Sequence, residues 1–261
     1  MKFSIITCTK NSAKFLAENI ASVKTQSFTD FEHVFIDGFS TDGTAEMIAE
    51  YRQTNPQKVR AIQIEPKGIS NAMNRGIKEA QGEFLIHLHS DDSFYDKDVL
   101  ADVAKFLEKN PQLDWIYGLA NTIEEDGTPV MIYPNKPLLH FHNSKSFIGR
   151  YMLKIFRFVP HQATFVRKSV FTKFGGFDES LSSEMDPDLW FRIRTKTNWS
   201  FFQRIICNYR VRAGAQSSDR NKILENQANI ELVQKRYLNP VEFFFIRILN
   251  KIRARRNIGN R

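Results

Sequence analysis

The chain has 261 residues, 42% of them hydrophobic and 25% charged, which suffices for one large α/β domain or a domain with an appendage. Its formal net charge of +8 is concentrated at the end, where residues 240–261 hold Arg247, Lys251, Arg253, Arg255, Arg256 and Arg261 against the single acid Glu242. The remainder is nearly balanced, which argues against a nucleic-acid-binding core, and no apolar stretch has the length of a membrane span or the form of a signal peptide. Cys8 and Cys207 lie in apolar runs without metal-type spacing and read as buried reduced thiols of a cytoplasmic protein.

Phe3 to Thr7 reads as a first strand, followed by polar Thr9 to Ser12 and a helix with Leu16, Ile20 and Val23 on one face. His33 to Ile36 is a second strand ending on the turn Asp37-Gly38-Phe39-Ser40-Thr41-Asp42-Gly43-Thr44, and the next helix carries Met47, Ile48 and Tyr51. Arg60 to Ile64 is a third strand, Gly68 to Ala80 a third helix, residues 84–88 a fourth strand, and Lys97 to Asn110 a helix before the strand Trp115 to Tyr117. Such alternation predicts a mainly parallel sheet flanked by helices. After Gly118 the rhythm changes. Glu125-Asp126-Gly127-Thr128 marks a hairpin, residues 134–160 a loop with a short helix at 148–156, and Ala163 to Val166 a strand. A helix over Leu189 to Arg194, two late strands at Ser200 to Phe202 and Ile206 to Val211, and helix from Lys222 onward, broken at Asn239-Pro240, complete the expectation. The organisation is an α/β domain over residues 1–215 and a C-terminal helical extension over 216–261.

The buried run Phe84 to Leu88 leads into His89-Ser90-Asp91-Asp92, so two adjacent carboxylates stand at the C-terminal end of a strand, where open α/β sheets bind ligands. On an extended backbone they face opposite sides, one free to hold a hard divalent cation and the other to accept from a sugar hydroxyl. The pair also fits a helix N-cap. No Gly-x-Gly-x-x-Gly and no Gly-Lys-Ser/Thr loop is present, so side chains must recognise any nucleotide. Asp37, at the end of the second strand, is placed to accept from a base, or serves as a turn-former beside Gly38.

Thr9 and Asn11 after the first strand, the Asp37 turn, Gly68-Ile69-Ser70-Asn71-Ala72-Met73-Asn74-Arg75-Gly76-Ile77, Ser90-Asp91-Asp92 and Gly175-Gly176-Phe177-Asp178-Glu179 follow in one order. Over residues 3–212 this resembles the inverting family-two glycosyltransferases of the GT-A fold, of the bacterial polysaccharide and lipopolysaccharide type. The resemblance implies a nucleotide-diphosphate sugar donor, a UDP-sugar by preference, a glycan or lipid-linked acceptor, and a divalent Mn2+ or Mg2+. It also implies a donor site of Thr9, Asp37, Lys67, Asn71 and Asp91, with Asp92 as metal ligand. Asn71 stands where relatives often carry Asp, His89 where Asn is common, and Met185 where the first acid of the segment stands in relatives. In Glu184-Met185-Asp186-Pro187-Asp188 the resemblance makes Asp186 the base that takes the acceptor's proton. The residue before proline leaves the αR region and proline suits the first helical position, so Asp186 also reads as an N-cap. Glu184 and His161 are additional candidates, the latter for a pyrophosphate or metal contact. Met185 and Asn71 also admit a second reading, a catalytically silent nucleotide-sugar-binding or scaffold protein.

In the tail, Val241, Phe244, Phe245, Ile248, Leu249 and Ile252 share one helical face and Arg247, Lys251 and Arg255 lie off it. The expectation is a basic amphipathic helix on the cytoplasmic face of an anionic membrane, against the alternatives of a core or subunit contact.

Overall fold

A computed structural model describes residues 1–134, 159–212, 223–244 and 246. The first strand, β1 (Phe3–Thr9), is buried along its whole length, as an interior parallel strand is when helices cover both faces of its sheet. It pairs parallel with β2 (Phe31–Asp37) and β4 (Phe84–His87), and β2 pairs parallel with β3 (Val59–Gln63). The connecting helices are α1 (Ala13–Lys24), α2 (Thr44–Thr54) and α3 (Ile69–Glu79), and α1 buries the expected stripe of Leu16, Ile20 and Val23. A short β5 (Ser93–Phe94) then precedes α4 (Val99–Lys109), so Asp91 and Asp92 cap no helix.

The second half completes a mixed sheet. A hairpin of β6 (Trp115–Ile123) and β7 (Pro129–Tyr133) turns through Gly127 at φ 92°, a left-handed geometry glycine adopts without strain. The strand β8 (Thr164–Arg167) lies antiparallel between β4 and β6, while β9 (Trp199–Arg210) runs parallel to β6 and antiparallel to β5. The strand order is β3-β2-β1-β4-β8-β6-β9-β5, with β7 beside β6. The expected α/β layering is present, with the parallel arrangement across β3-β2-β1-β4. The two late strands expected from the sequence are one strand. Its register against β6 slips around Leu119, where the polar pair Gln203-Arg204 interrupts the apolar pattern. Gly118 makes room for that irregularity, since a Cβ there would stand 2.6 Å from the Arg204 carbonyl.

Both faces of the sheet are packed. On one, Trp190, Trp115 and Trp199 stack at 5.3 and 5.2 Å, and the Trp115 Nε1–H donates to Thr197 Oγ1 at 2.9 Å. On the other, Phe3, Phe84, Ile86, Phe165 and Ile206 meet the apolar face of α4. Among the described residues, β8 is followed by α5 (Lys168–Phe174), α6 (Met185–Ile193) and α7 (Ile223–Tyr237). Asn239 and Glu242 then exchange reciprocal hydrogen bonds of 2.9 Å, a capping box with Pro240 just inside it, so the expected break is a new helix start. Val241 and Phe244 of the proposed apolar face are exposed, while Ile246, off that series, is buried. The rest of the tail series and the short helix expected at 148–156 lie outside the described residues. No helix among the described residues is long and apolar enough to cross a membrane.

Candidate active site

A cavity of about 770 Å³ opens at the C-terminal ends of β1 and β4, bounded by β6, β9, the turn before β8 and the start of α6. Asp91, Asp92, His161, Glu184 and Asp186 all line it, together with the cations Lys10, Arg210 and Arg212. Acids from two separate elements thus share one space, which is the arrangement the sequence motifs predict.

Asp92 is buried, and its Oδ1 accepts from the backbone N–H of Arg210 at 3.0 Å. Its Oδ2 has no hydrogen-bond partner. Burial, and then the neighbouring Asp91, push this carboxyl well above the usual carboxylate range. A group so placed holds a proton or a cation. Asp91 is more open and forms an ion pair with Arg212, Nε to Oδ2, at 2.6 Å. The two carboxylates therefore differ in partner and exposure, as the alternation on the backbone suggested.

Behind them lies a histidine stack. His161 begins a single 3₁₀ turn (His161–Ala163) after Pro160, and its ring lies 5.3 Å from His87 and 5.5 Å from His89. Both His161 ring nitrogens are buried and without a hydrogen-bond partner. Burial, then the two neighbouring rings, hold it well below the ordinary histidine range, so it faces the cavity as a neutral imidazole.

Thr9 and Asp37 lie beside the cavity and do not line it. The Asp37 carboxylate is already engaged: Oδ1 accepts from Thr9 Oγ1 at 2.8 Å and Ser40 Oγ at 2.6 Å, and Oδ2 from Ser40 N at 3.0 Å. Burial alone would raise its pKa, but the bonds from Ser40, Thr9 and Gln63 outweigh it and hold the group below the usual range. Asn71 is tied elsewhere, its Nδ2 donating to Glu179 Oε2 at 2.9 Å. Bonds from Asn74 and Asn71, and then the charge of Lys67, exposed in the segment before α3, hold the Glu179 carboxyl below its usual range. Asn71 and Lys67 gather at Glu179 and not among the cavity acids.

Asp186 is not an N-cap. The helix α6 begins at Met185, and Glu184 is the cap position at φ 69°, so Asp186 is the second helical residue and Pro187 the third. Proline is tolerated there because the first turn has unpaired N–H groups in any case. The left-handed Glu184 reverses the chain two residues earlier than the proline rule predicts. Asp188, by contrast, is withdrawn from solvent and paired with Arg192 at 2.9 Å and Arg236 at 3.1 Å.

A family model, glycosyl transferase family 2, matches residues 4–174. The chain belongs to that family. A PGL/p-HBAD biosynthesis glycosyltransferase of Mycobacterium tuberculosis is 30% identical over 207 residues, 79% of this chain and 70% of the relative. The poly(ribitol-phosphate) β-N-acetylglucosaminyltransferase TarS of Staphylococcus aureus is 37% identical over 112 residues, 42% of this chain and 19% of TarS. In structure, residues 1–349 of TarS with UDP-GlcNAc superpose with a TM-score of 0.70 at 25% identity, covering 89% of this chain and 65% of that one. A Pyrobaculum calidifontis mannosyltransferase in complex with GDP-Man and Mn2+ shares the fold, with a TM-score of 0.62 at 16% identity, covering 95% of this chain and 64% of that one. The chain thus spans slightly less than two thirds of those solved structures. It is a family 2 glycosyltransferase with a GT-A-like fold.

Sequence reasoning missed several residues that line this cavity. Arg210 is 4% exposed at the end of β9, donating to the Asp91 carbonyl at 3.2 Å, the Glu125 carbonyl at 2.7 Å and Glu18 Oε2 at 2.5 Å. An arginine ending an apolar strand must find such acceptors, and that was the available signal. Tyr133, Tyr209, Asn226 and Ile230 also line the cavity, and no motif marked them.

Proposed function

We propose that this chain transfers a sugar from a nucleotide-diphosphate sugar, by preference a UDP-sugar, to a hydroxyl of a glycan or lipid-linked acceptor, with inversion. The observation that carries this reading is the sharing of one cavity by Asp91 and Asp92, after β4, and Asp186 on α6. Asp186 is the proposed base for the acceptor hydroxyl, with Glu184 beside it on the cavity wall. Thr9, Asp37, Lys67, Asn71 and Asp91 are the proposed donor residues. Recognition of a base by Asp37 then requires exchange of one of its present hydrogen bonds, and Asn71 reaches the donor only by leaving Glu179. His161 presents a neutral ring to the diphosphate.

A divalent cation, Mn2+ or Mg2+, fits at Asp92, whose buried Oδ2 lacks a partner. No group of three or more His, Cys, Asp or Glu among the described residues gathers as a metal site. Asp92 would therefore be the principal protein ligand, with donor phosphate oxygens and water completing the shell. Held by Asp92, a cation would supply positive charge against a departing diphosphate. The exposed Val241 and Phe244, with the six cations of the tail, support peripheral attachment to an anionic membrane surface. Co-sedimentation with anionic vesicles checks this: a chain ending at Ile246 should pellet less than the full chain, and equal pelleting rejects the attachment.

The central test measures nucleotide release from a panel of UDP- and GDP-sugars, before and after chelation of divalent ions. Asp186→Asn should leave nucleotide affinity nearly unchanged and lower turnover by about 10²–10⁴-fold. Normal turnover in that variant removes Asp186 from the role, and release that ignores chelation removes the metal.

A further inference from the structure

The segment that delivers Asp186 runs between α5 and α6. It leaves α5 through Gly175 at φ 83°, reverses at Glu184 and enters α6 with no side-chain cap. Two helices outside it supply the hold. From α3, Asn74 donates to the Phe177 carbonyl at 2.9 Å and to Glu179 Oε1 at 2.8 Å, and accepts from Phe177 N–H at 2.8 Å.

The other hold comes from α7. Asn229 donates to Ser182 Oγ at 2.9 Å and Ser183 Oγ at 3.1 Å, immediately before Glu184. Two residues after Asp186, the Asp188 carboxylate is 1% exposed. Its Oδ1 accepts from Arg236 Nη1 at 3.1 Å and from the Tyr237 hydroxyl at 3.0 Å. Its Oδ2 accepts from Arg192, whose guanidinium also donates to the Phe174 and Gly176 carbonyls. Arg236 continues to Asp178 Oδ2 at 2.6 Å. Beneath these bonds Leu181, Phe191 and Val233 close an apolar cluster with Met185 and Tyr237. Asn226, Ile230, Val233 and Tyr237 are spaced as one helical face, and the first two reach the cavity itself.

We infer that α7 is a positioning element of the active site: Arg236 and Tyr237, acting through Asp188, and Asn229, acting through Ser182 and Ser183, fix where the Asp186 carboxylate stands. The inference rests on Asp186 being the base in the reading above. The physical basis is that α6 is nine residues long and Asp186 lies in its first turn. Its carboxylate therefore moves with whatever orients the helix. Asp188 is buried with both its oxygens bonded, so removing one partner leaves a buried carboxylate short of a donor and frees the helix that carries it. Such misplacement is felt in the chemical step, since an error near 1 Å costs about 10²-fold in rate.

Tyr237→Phe and Asn229→Ala test this in the full chain, with Arg236→Gln and its rescue by Arg236→Lys as a second pair. With the sugar nucleotide that the wild type consumes, kcat should fall about 10- to 100-fold while the donor KM stays within about twofold. Hydrogen exchange of residues 181–190 should quicken without change in β1 to β4. Arg236→Lys should recover part of the rate. A kcat and donor KM that change together, or a rate that does not change, overturn the inference. A wild type that consumes no sugar nucleotide defeats the reading of Asp186 as a base. Exchange then decides the clamp alone, and undisturbed protection of 181–190 in every variant overturns it.

Discussion

Asn71 and Glu179 show how a departure from a family pattern acquires a physical reason once partners are known. An amide at position 71 donates to Glu179 Oε2, whereas an aspartate there would set one carboxylate against another. Asn71→Asp should therefore loosen the loop after α5. At pH 7 a fall in Tm of about 2–4 °C is expected, from a lost bond near 1 kcal/mol in a chain of this size. The loss should shrink as the pH is lowered, because protonation of either acid removes the repulsion. An unchanged melting curve at pH 7 would show that the Glu179 tie is idle. At this scale the sequence was legible for acids with motif neighbours: Asp91, Asp92 and Asp186 line the cavity as expected. It was not legible for Asp37, because its four hydrogen-bond donors come from three different segments of chain.

Among the elements, those built from local periodicity were readable and those depending on distant partners were not. The first three helices and first four strands follow apolar spacing, and each appears within a few residues of expectation. β9 read as two strands because its irregularity against β6 is invisible without Gly118 facing Arg204. α6 began early because the conformation of Glu184 overrides the local rule for residues before proline. The junction of α3 and β4 gives an element-scale prediction. A Cβ on Gly82 would stand 2.5 Å from Ser4 N and 2.6 Å from Phe3 C, and both neighbours are backbone that cannot swing away. Gly82→Ala should cost about 1–3 kcal/mol of stability by forcing β4 from β1, as overpacking does. Urea unfolding checks this, and an unaltered midpoint would count against the close approach.

At the scale of the whole molecule, burial of histidines sets the response to acid. Burial holds His33 and His87 down to about 3 in the folded state, against an ordinary value of 6.5, and His89 and His161 are also lowered. The unfolded chain therefore binds protons that the folded chain refuses. The stability these neutral rings provide is complete above pH 6.5 and is lost progressively as the pH falls towards 3. Thermal unfolding followed from pH 7.5 to pH 5 should show a steady decline in Tm below about pH 6.5. A flat profile over that interval would mean that these rings do not stay neutral in the fold.

The arrival of β9 also sets an order in time. Arg210 follows Asp92 by 118 residues, yet its N–H fixes the Asp92 carboxylate and its strand pairs with β5. On a ribosome adding 5–20 residues per second, the acidic turn would wait roughly 6–24 seconds for its anchor. During that interval β6 offers an open edge to any neighbouring strand, the circumstance in which nascent chains stick to one another. A chain that stops between Asp186 and Trp199 would hold Asp91, Asp92 and Asp186 and lack β9. Such a fragment should need a chaperone to remain dispersed, and the finished protein should not.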